Sequence, residues 1–306
     1  MAVISTSNHP KALWPGTKKW FHTQYERHPL ECMEIFETVS SDKAYEERVQ
    51  SVGYGLAAEK AQGSAISYDV DQQGYVQRSR NVTYALGYAV TMEEIADNQY
   101  AELAQARSGR LADSFRQTKE INGANIFNRG FNSAYVGGDG KELFAEDHPT
   151  MYAGNQSNEL GTPADLSEAS LEDLLIQIGN AKDDRGFQIK LMPRKLVIAT
   201  NEQFNAERIL NSTLQNDTAN NATNALRSKG MLPEGYVVNH YLSDTDAFFI
   251  LNDVPSGTGL IYQERMALEF DRDNDFNTKN ALASAVERYK FDWVDWRAVY
   301  ASAGAA

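Results

Sequence analysis

The run "DRDNDF" (271–276) sets Asp271, Asp273 and Asp275 at alternate positions, the spacing with which a calcium loop begins. Three carboxylates so placed would offer a hard cation a partial shell of oxygen. The rest of such a loop is missing, because Phe276 stands where the tight turn needs glycine and Leu282 where the closing glutamate belongs. The glycines of "VGGDG" (136–140) fit neither a dinucleotide fingerprint nor a phosphate-binding loop. The five histidines are scattered without metal spacing, and no G-x-S-x-G is present. Cys32, the single cysteine, has no nucleophile signature around it and can form neither an intrachain disulfide nor a Cys-rich zinc site. No cofactor, metal or catalytic constellation is expected.

The elements that would have to position a site are more telling. "ERYKFDWVDWRAVY" (287–300) carries Tyr289, Phe291 and Trp293 at strand period, and Ala281, Ala283 and Ala285 extend the same face backwards. Residues 280–293 therefore read as one strand, far longer than the usual 5–6 residues or so. A capping box, Thr91 to Glu94, opens a helix predicted over 92–122, about 30 residues or about 45 Å. Its apolar face comprises Ala96, Tyr100, Leu103, Ala104, Leu111, Phe115, Thr118 and Ile121, with Arg107 as a charge inside it. Between 160 and 260 the chain alternates helix and strand. Leu171, Leu174, Leu175 and Ile178 mark a helix face, and "KLVIA", "YVVNHYL" and "AFFIL" read as strands. Thr200 to Gln203 is read as a helix cap, and the Asn/Thr-rich stretch 211–224 as a loop.

Two segments lack a core of their own. Residues 1–45 are broken by Pro10, Pro15, Gly16 and Pro29, yet contain Trp14, Trp20, Phe21, Tyr25 and Phe36. Disordered tails are poor in aromatics, so these rings are expected against another surface, a neighbour or the chain's own core. A short helix is predicted in "DKAYEERVQSVG" (42–53), then a β-hairpin over 64–84 turning at "DQQG". The outer half of that hairpin, 67–81, has little apolar surface, and an isolated hairpin is marginal in water. Trp14, Trp20, Phe21 and Tyr25 of the arm, with Tyr68, Gln73, Tyr75 and Arg78 of the hairpin, are therefore the candidate assembly residues.

The whole chain, 306 residues and 42% hydrophobic, can bury a large core. Its net charge of −13 and pI near 4.9 argue against tight sequence-independent DNA binding, which needs Lys and Arg to displace counterions, though an acidic wall can lie beside DNA. No apolar run approaches the roughly 18 residues of a membrane span, and "MAVISTSNHP" lacks the features of a signal peptide. The expectation is intracellular synthesis, with the N-x-S/T triplets (Asn81 and four others) as ordinary polar loops.

The segments "GGDGKELFAEDHP", "PADLSEASLEDLLIQI", "PRKLVIATNEQFNAERIL", "NALRSKGMLPEGYVVNHYLSDTDAFFILNDVP" and "ALEFDRDNDFNTKNALASAVERYKFDWVDWRAVY" resemble the major capsid proteins of tailed bacteriophages, in the branch related to the major head subunit of phage Mu. The resemblance covers about residues 50–300. It implies an α+β fold of the Hong Kong 97 type: an N-terminal arm (1–45), a peripheral P-domain (46–63, 85–160 and 261–306) with the spine helix, an E-loop hairpin (64–84) and an axial A-domain (161–260). The aromatic face of 289–293 would then pack the P-domain sheet on the spine helix. The implied function is self-assembly into pentamers and hexamers of an icosahedral head around double-stranded DNA, built in the host bacterial cytoplasm and incorporated in the virion. Implied partners are other copies of the chain, a portal protein, a decoration protein and a separate scaffolding protein, since no long coiled extension precedes the arm. The 211–224 loop would lie near a capsomer axis. Trp296 departs from relatives that often carry proline after "W-x-D".

In some capsids of this fold an E-loop lysine is joined covalently to a neighbour's asparagine. Residues 67–83 contain Arg78 and Arg80 but no lysine, and Lys60 falls roughly 35 Å short of the predicted tip at about 3.3 Å per residue, so a non-covalent shell is expected. The competing readings are another phage structural part, such as a tail-tube or decoration protein, or an enzyme on the 160–260 lobe. The latter would need a pocket of convergent ionisable groups.

Overall fold

The structure, a computed structural model, describes residues 15–96, 100–215, 222–254, 259–275, 277–278 and 280–305. Helix α1 (Pro15–Tyr25) and a short 3₁₀ turn (Glu31–Glu34) lead into β1 (Glu37–Ser40), β2 (Tyr45–Ser51), β3 (Gln73–Arg80) and β4 (Val82–Val90). Helices α2 (Met92–Ala96) and α3 (Tyr100–Asn128) follow, then the small pair β5 (His148–Thr150) and β6 (Gly154–Gln156). The next stretch holds α4 (Glu168–Gly179), β7 (Met192–Ile198), α5 (Gln203–Asn211), α6 (Ala225–Lys229), β8 (Tyr236–Val238) and β9 (Phe248–Asp253). The chain closes with β10 (Leu260–Asn274), β11 (Ala281–Trp293) and β12 (Val299–Ser302).

The long late strand forms as its alternation dictates. β11 lies at the centre of a sheet ordered β1-β10-β11-β4, antiparallel to both neighbours. Ala281, Ala283, Ala285, Tyr289 and Phe291 are all buried on one face. The grading from small to large has a structural reason. Over the alanines lie α1 and α3, whose Phe21 and Phe115 fill the space, with Phe21 stacked on Phe270 of β10 at 4.8 Å. Beyond them the side chains must reach further, and Tyr289 and Phe291 meet Tyr84, Tyr262 and Phe36 at ring separations of 4.7–5.6 Å.

Helix α3 runs 29 residues along this layer. Ala104, Leu111 and Phe115 are buried as the wheel predicts, and Arg107 is neutralised by Glu94 of α2 at 2.5 Å. The C-terminal part of the stripe drifts. Ile121 is exposed, while Lys119, Glu120, Gly123 and Phe127 turn inward. Two contacts explain the drift. The Glu120 carboxylate accepts the backbone N–H groups of Glu31 and Cys32, capping the 3₁₀ turn. Gly123 leaves room for that turn, since a Cβ there would sit 2.7 Å from the Cys32 Cβ.

One charged pair is sealed into this layer. Lys119 Nζ lies 2.7 Å from Glu287 Oε2, both side chains almost wholly buried, and donates to the Tyr25 hydroxyl at 2.8 Å. The rings of Tyr25, Tyr262 and Tyr289 surround the ammonium at 5.2–5.5 Å. Burial alone would lower the Lys119 pKa, but the Glu287 carboxylate, together with the Tyr262 and Tyr25 hydroxyls, outweighs it and holds the amine charged.

The second sheet is ordered β12-β9-β7-β8. It is buried on both faces, hence the unbroken apolar runs. Phe248 and Ile250 face the α4 stripe of Leu171, Leu174, Leu175 and Ile178. Phe249 and Leu251 face Phe127, Phe144 and Phe36, joining this lobe to the first layer. The last strand departs from the expected organisation. β12 joins this second sheet, paired with β9, rather than the first sheet that holds β11. The crossing is made at Trp296, which is buried and stacks parallel to His148 at 4.4 Å. His148 in turn meets Asp139 at 2.6 Å and Asn158 at 3.1 Å.

Two local expectations fail. Residues 42–53 are not helical. Tyr45–Ser51 is a strand whose residues alternate exposed and half-buried, because pairing with β3 outweighs the helix propensity of Glu and Arg. Thr200 to Gln203 is a 3₁₀ turn leading into α5 without a side-chain cap. The "DRDNDF" acids sit on a strand end, with Asp271 opposite Ser284 and Asp273 opposite Leu282, rather than on a loop curved around an ion.

Candidate assembly surface

The hairpin exists, but not over 64–84. Its strands are β2 and β3, antiparallel from Tyr45↔Arg80 to Ser51↔Gln73, so the connection is the long loop 52–72. "DQQG" is not its turn, and Ile66, Tyr68 and Val70 belong to no strand. The glycines of "SVGYGLAAEKAQG" were the signal against regular structure, since Gly53 and Gly63 adopt φ of 75° and 85°, which favour glycine.

Carboxylates tie the two limbs of this loop where a ladder is absent. Asp71 accepts from the Ser51 hydroxyl at 2.7 Å and the Gly53 N–H at 2.9 Å, and Asp69 accepts from the Gly55 N–H at 2.6 Å. These hydrogen bonds lower both carboxyl pKa values. Arg185 then clips the loop to the body through Asp69 Oδ2 and the Val70 carbonyl, both at 2.8 Å. Tyr75 donates its hydroxyl to the Pro149 carbonyl, and Gln77 and Ser79 donate to Asp292 at 3.0 and 2.6 Å. The base of the hairpin is thus fixed to its own subunit.

Among the described residues nothing covers the apolar side chains of its far end. Tyr54, Leu56, Ile66, Tyr68 and Val70 are 64–93% exposed, a concentration of large apolar side chains on one loop. Of the candidate residues, Tyr68 is the most exposed, Gln73 is exposed on β3, and Arg78 lies exposed over the Tyr45 ring at 4.2 Å. Tyr75 is turned inward. In the arm Phe21 is wholly buried, with Trp20 and Tyr25 packed beside it, so these rings sit against their own subunit and need no neighbour to cover them. Trp14 lies outside the described residues, as do 216–221 of the Asn/Thr-rich loop. Sequence reasoning missed Tyr54 and Leu56, and the roles of Asp69, Asp71 and Arg185 in fastening the loop. Lys60 lies on the loop itself and not before the hairpin, so the lack of lysine in 67–83 no longer argues for a non-covalent shell.

One cavity of about 420 Å³ is edged by Arg80, Arg129, Lys290 and Asp292 with Tyr84, Tyr135 and Val136. Cys32 is buried, and burial with the nearby Glu120 pushes its thiol up, away from thiolate reactivity.

A long helix across a four-stranded sheet, a second α/β lobe and a projecting hairpin define a subunit of the Hong Kong 97-type capsid fold. Solved structures with this fold include one from Mycobacterium phage Patience (TM-score 0.54, 11% identity, covering 100% of this chain and 92% of that one). Others are a virus-like particle from Pyrococcus furiosus (0.53, 10%, 94% and 98%) and the capsid of a native GTA particle (0.51, 16%, 91% and 91%). The chain belongs to the phage capsid protein family, whose profile matches residues 76–302. It is a capsid protein. No curated protein matches the chain in sequence.

Proposed function

We propose that the chain forms both the pentamers and the hexamers of a phage head enclosing double-stranded DNA, with loop 52–72 laid over an adjacent subunit. The observation that carries this is the exposed apolar set on a loop whose base is fixed and whose tip is uncovered. In this reading the layer of α3 and β11 is the P-domain, the lobe around α4 and β7 is the A-domain together with β12, and residues up to 45 form the arm. The net charge of −13 suits an inner wall that lies beside packaged DNA without gripping it. The role is structural, not catalytic. A separate scaffolding protein would guide assembly in the host bacterial cytoplasm, a portal protein would occupy one vertex, and a decoration protein could add outer contacts. Kinship with the Mu-like branch rests on the sequence segments quoted above.

Hydrogen exchange tests the loop's role. Amides of residues 54–70 should exchange fast in free subunits and slowly in assembled particles, while β3, already paired with β2, stays protected in both. Equal exchange of 54–70 in the two states would contradict the proposal.

A further inference from the structure

The hairpin of β2 and β3 is held at two levels by two different lobes. Nearest its base, Gln77 and Ser79 donate to Asp292 of β11, so this level belongs to the first sheet. Gln50 lies two residues beyond Arg48, the partner of Gln77, or about 7 Å further out. Its side-chain amide donates to Asp184 Oδ2 at 2.9 Å. Further along, Asp69 and Val70 are gripped by Arg185. Asp184 and Arg185 stand on the turn 182–187 between α4 and β7, and so on the second lobe. Tyr152 adds another tie, donating its hydroxyl to Gln72 Oε1 at 2.5 Å and its backbone N–H to the Asp184 carbonyl at 3.0 Å.

That turn is stiff and well rooted. Asp183 Oδ1 accepts the N–H groups of Arg185 and Phe187 at 2.9 and 2.8 Å, and Gly186 takes a φ of 90°, which favours glycine. Its flanks, Ala181 and Leu191, are buried in one core with Leu174 and Ile178 of α4. Asp184 is buried too, and its Oδ1 accepts from Arg297 Nη2 at 3.1 Å. Arg297 Nε donates to the Lys182 carbonyl at 3.1 Å. Arg297 stands where the chain crosses from β11 to β12. One buried carboxylate therefore joins the hairpin strand to the crossing between the two sheets, and the next residue grips the loop.

We infer that the turn 182–187 aims the assembly loop: Asp184 and Arg185 are positioning residues that make residues 54–70 follow the second lobe, with Asp292 as the pivot. This deepens the shell reading and rests on it. Its consequence concerns a chain that serves both fivefold and sixfold positions. A small rotation of the second lobe on the first is enlarged at the loop tip, because the tip lies beyond the steering point. The loop then leaves its own subunit at a different angle in each kind of ring, with no change in its internal bonds.

Free subunits and particles test this separately. In a Cys32→Ala background, spin labels are placed on Tyr68→Cys of the loop and Phe204→Cys of α5, or on Gln117→Cys of α3 and Phe204→Cys, all exposed positions. The variant Gln50→Ala, Arg185→Ala releases the hairpin and leaves the buried Asp184–Arg297 pair intact. Its 68–204 distance distribution should widen about twofold or more, while the 117–204 distribution keeps its width. Arg185→Lys, able to keep one of the two contacts, should fall between. An unchanged 68–204 width would overturn the inference, and so would equal widening of both distances, since the turn would then only clamp the lobes together. In particles of the native chain, superposing the second lobes of fivefold and sixfold subunits should align their loops better than superposing their first sheets. The reverse would overturn the inference and leave the shell reading intact. Failure of the native chain to form particles would sink the shell reading, and the aiming of an assembly contact with it, whatever the distances in free subunits.

Discussion

Glu287→Ala should cost the unassembled subunit about 3–5 kcal/mol of unfolding free energy, the range for removing one partner of a buried ion pair. The loss would come from the partner left behind. Lys119 would lose the carboxylate that holds it charged, and its amine would stay buried among the rings of Tyr25, Tyr262 and Tyr289 with no anion to meet it. Moving that ammonium to water would require parting α3 from β11, the two layers its stem lies between. Removing both charges should do less harm, because apolar side chains of similar volume avoid the desolvation cost. The double variant Lys119→Met, Glu287→Leu should recover most of the loss. Denaturant midpoints at unchanged slope, measured on free subunits, report both values. A loss below about 1 kcal/mol for Glu287→Ala would mean that the pair is hydrated and contributes as little as a surface salt bridge.

The opposite profile is expected at the loop. Replacing Leu56, Ile66 and Tyr68 together by serine should leave the free subunit's stability within about 0.5 kcal/mol, as befits exposed positions away from any core. Shell formation should nevertheless be lost. Each such side chain contributes about 1.5–3 kcal/mol when fully buried, and every subunit of a closed shell would forfeit that contact at once. Sedimentation of the assembly reaction separates the two effects. Particles in normal yield from the triple variant would show that the exposed apolar set is not an assembly surface.

Much of this was legible from spacing. The β11 face, the α4 stripe and the buried runs of β7 and β9 follow from period alone, because burial on one face or two leaves a direct mark on residue type. Glu287 shares the odd register of Tyr289 and Phe291 and so stood on the core face, but period cannot say that a lysine 168 positions earlier would meet it. The loop was misread for a different reason. "AYEERVQ" has helix-forming residues, and only the distant β3 makes it a strand. "AISYDVD" has strand alternation, yet joins no strand ladder among the described residues. Both errors arise where a segment's conformation is decided by something far away in the chain or outside it. The arm shows the converse, since Phe21 finds its cover on Phe270, far along the chain.

The central claim is that this subunit is built to be completed by copies of itself in a closed shell. Electron microscopy of the purified chain, alone and co-expressed with a scaffolding protein, tests it most directly. Closed icosahedral particles with fivefold and sixfold capsomers are the predicted result. Monodisperse monomers under both conditions, with loop 52–72 as free as in the isolated subunit, would contradict it.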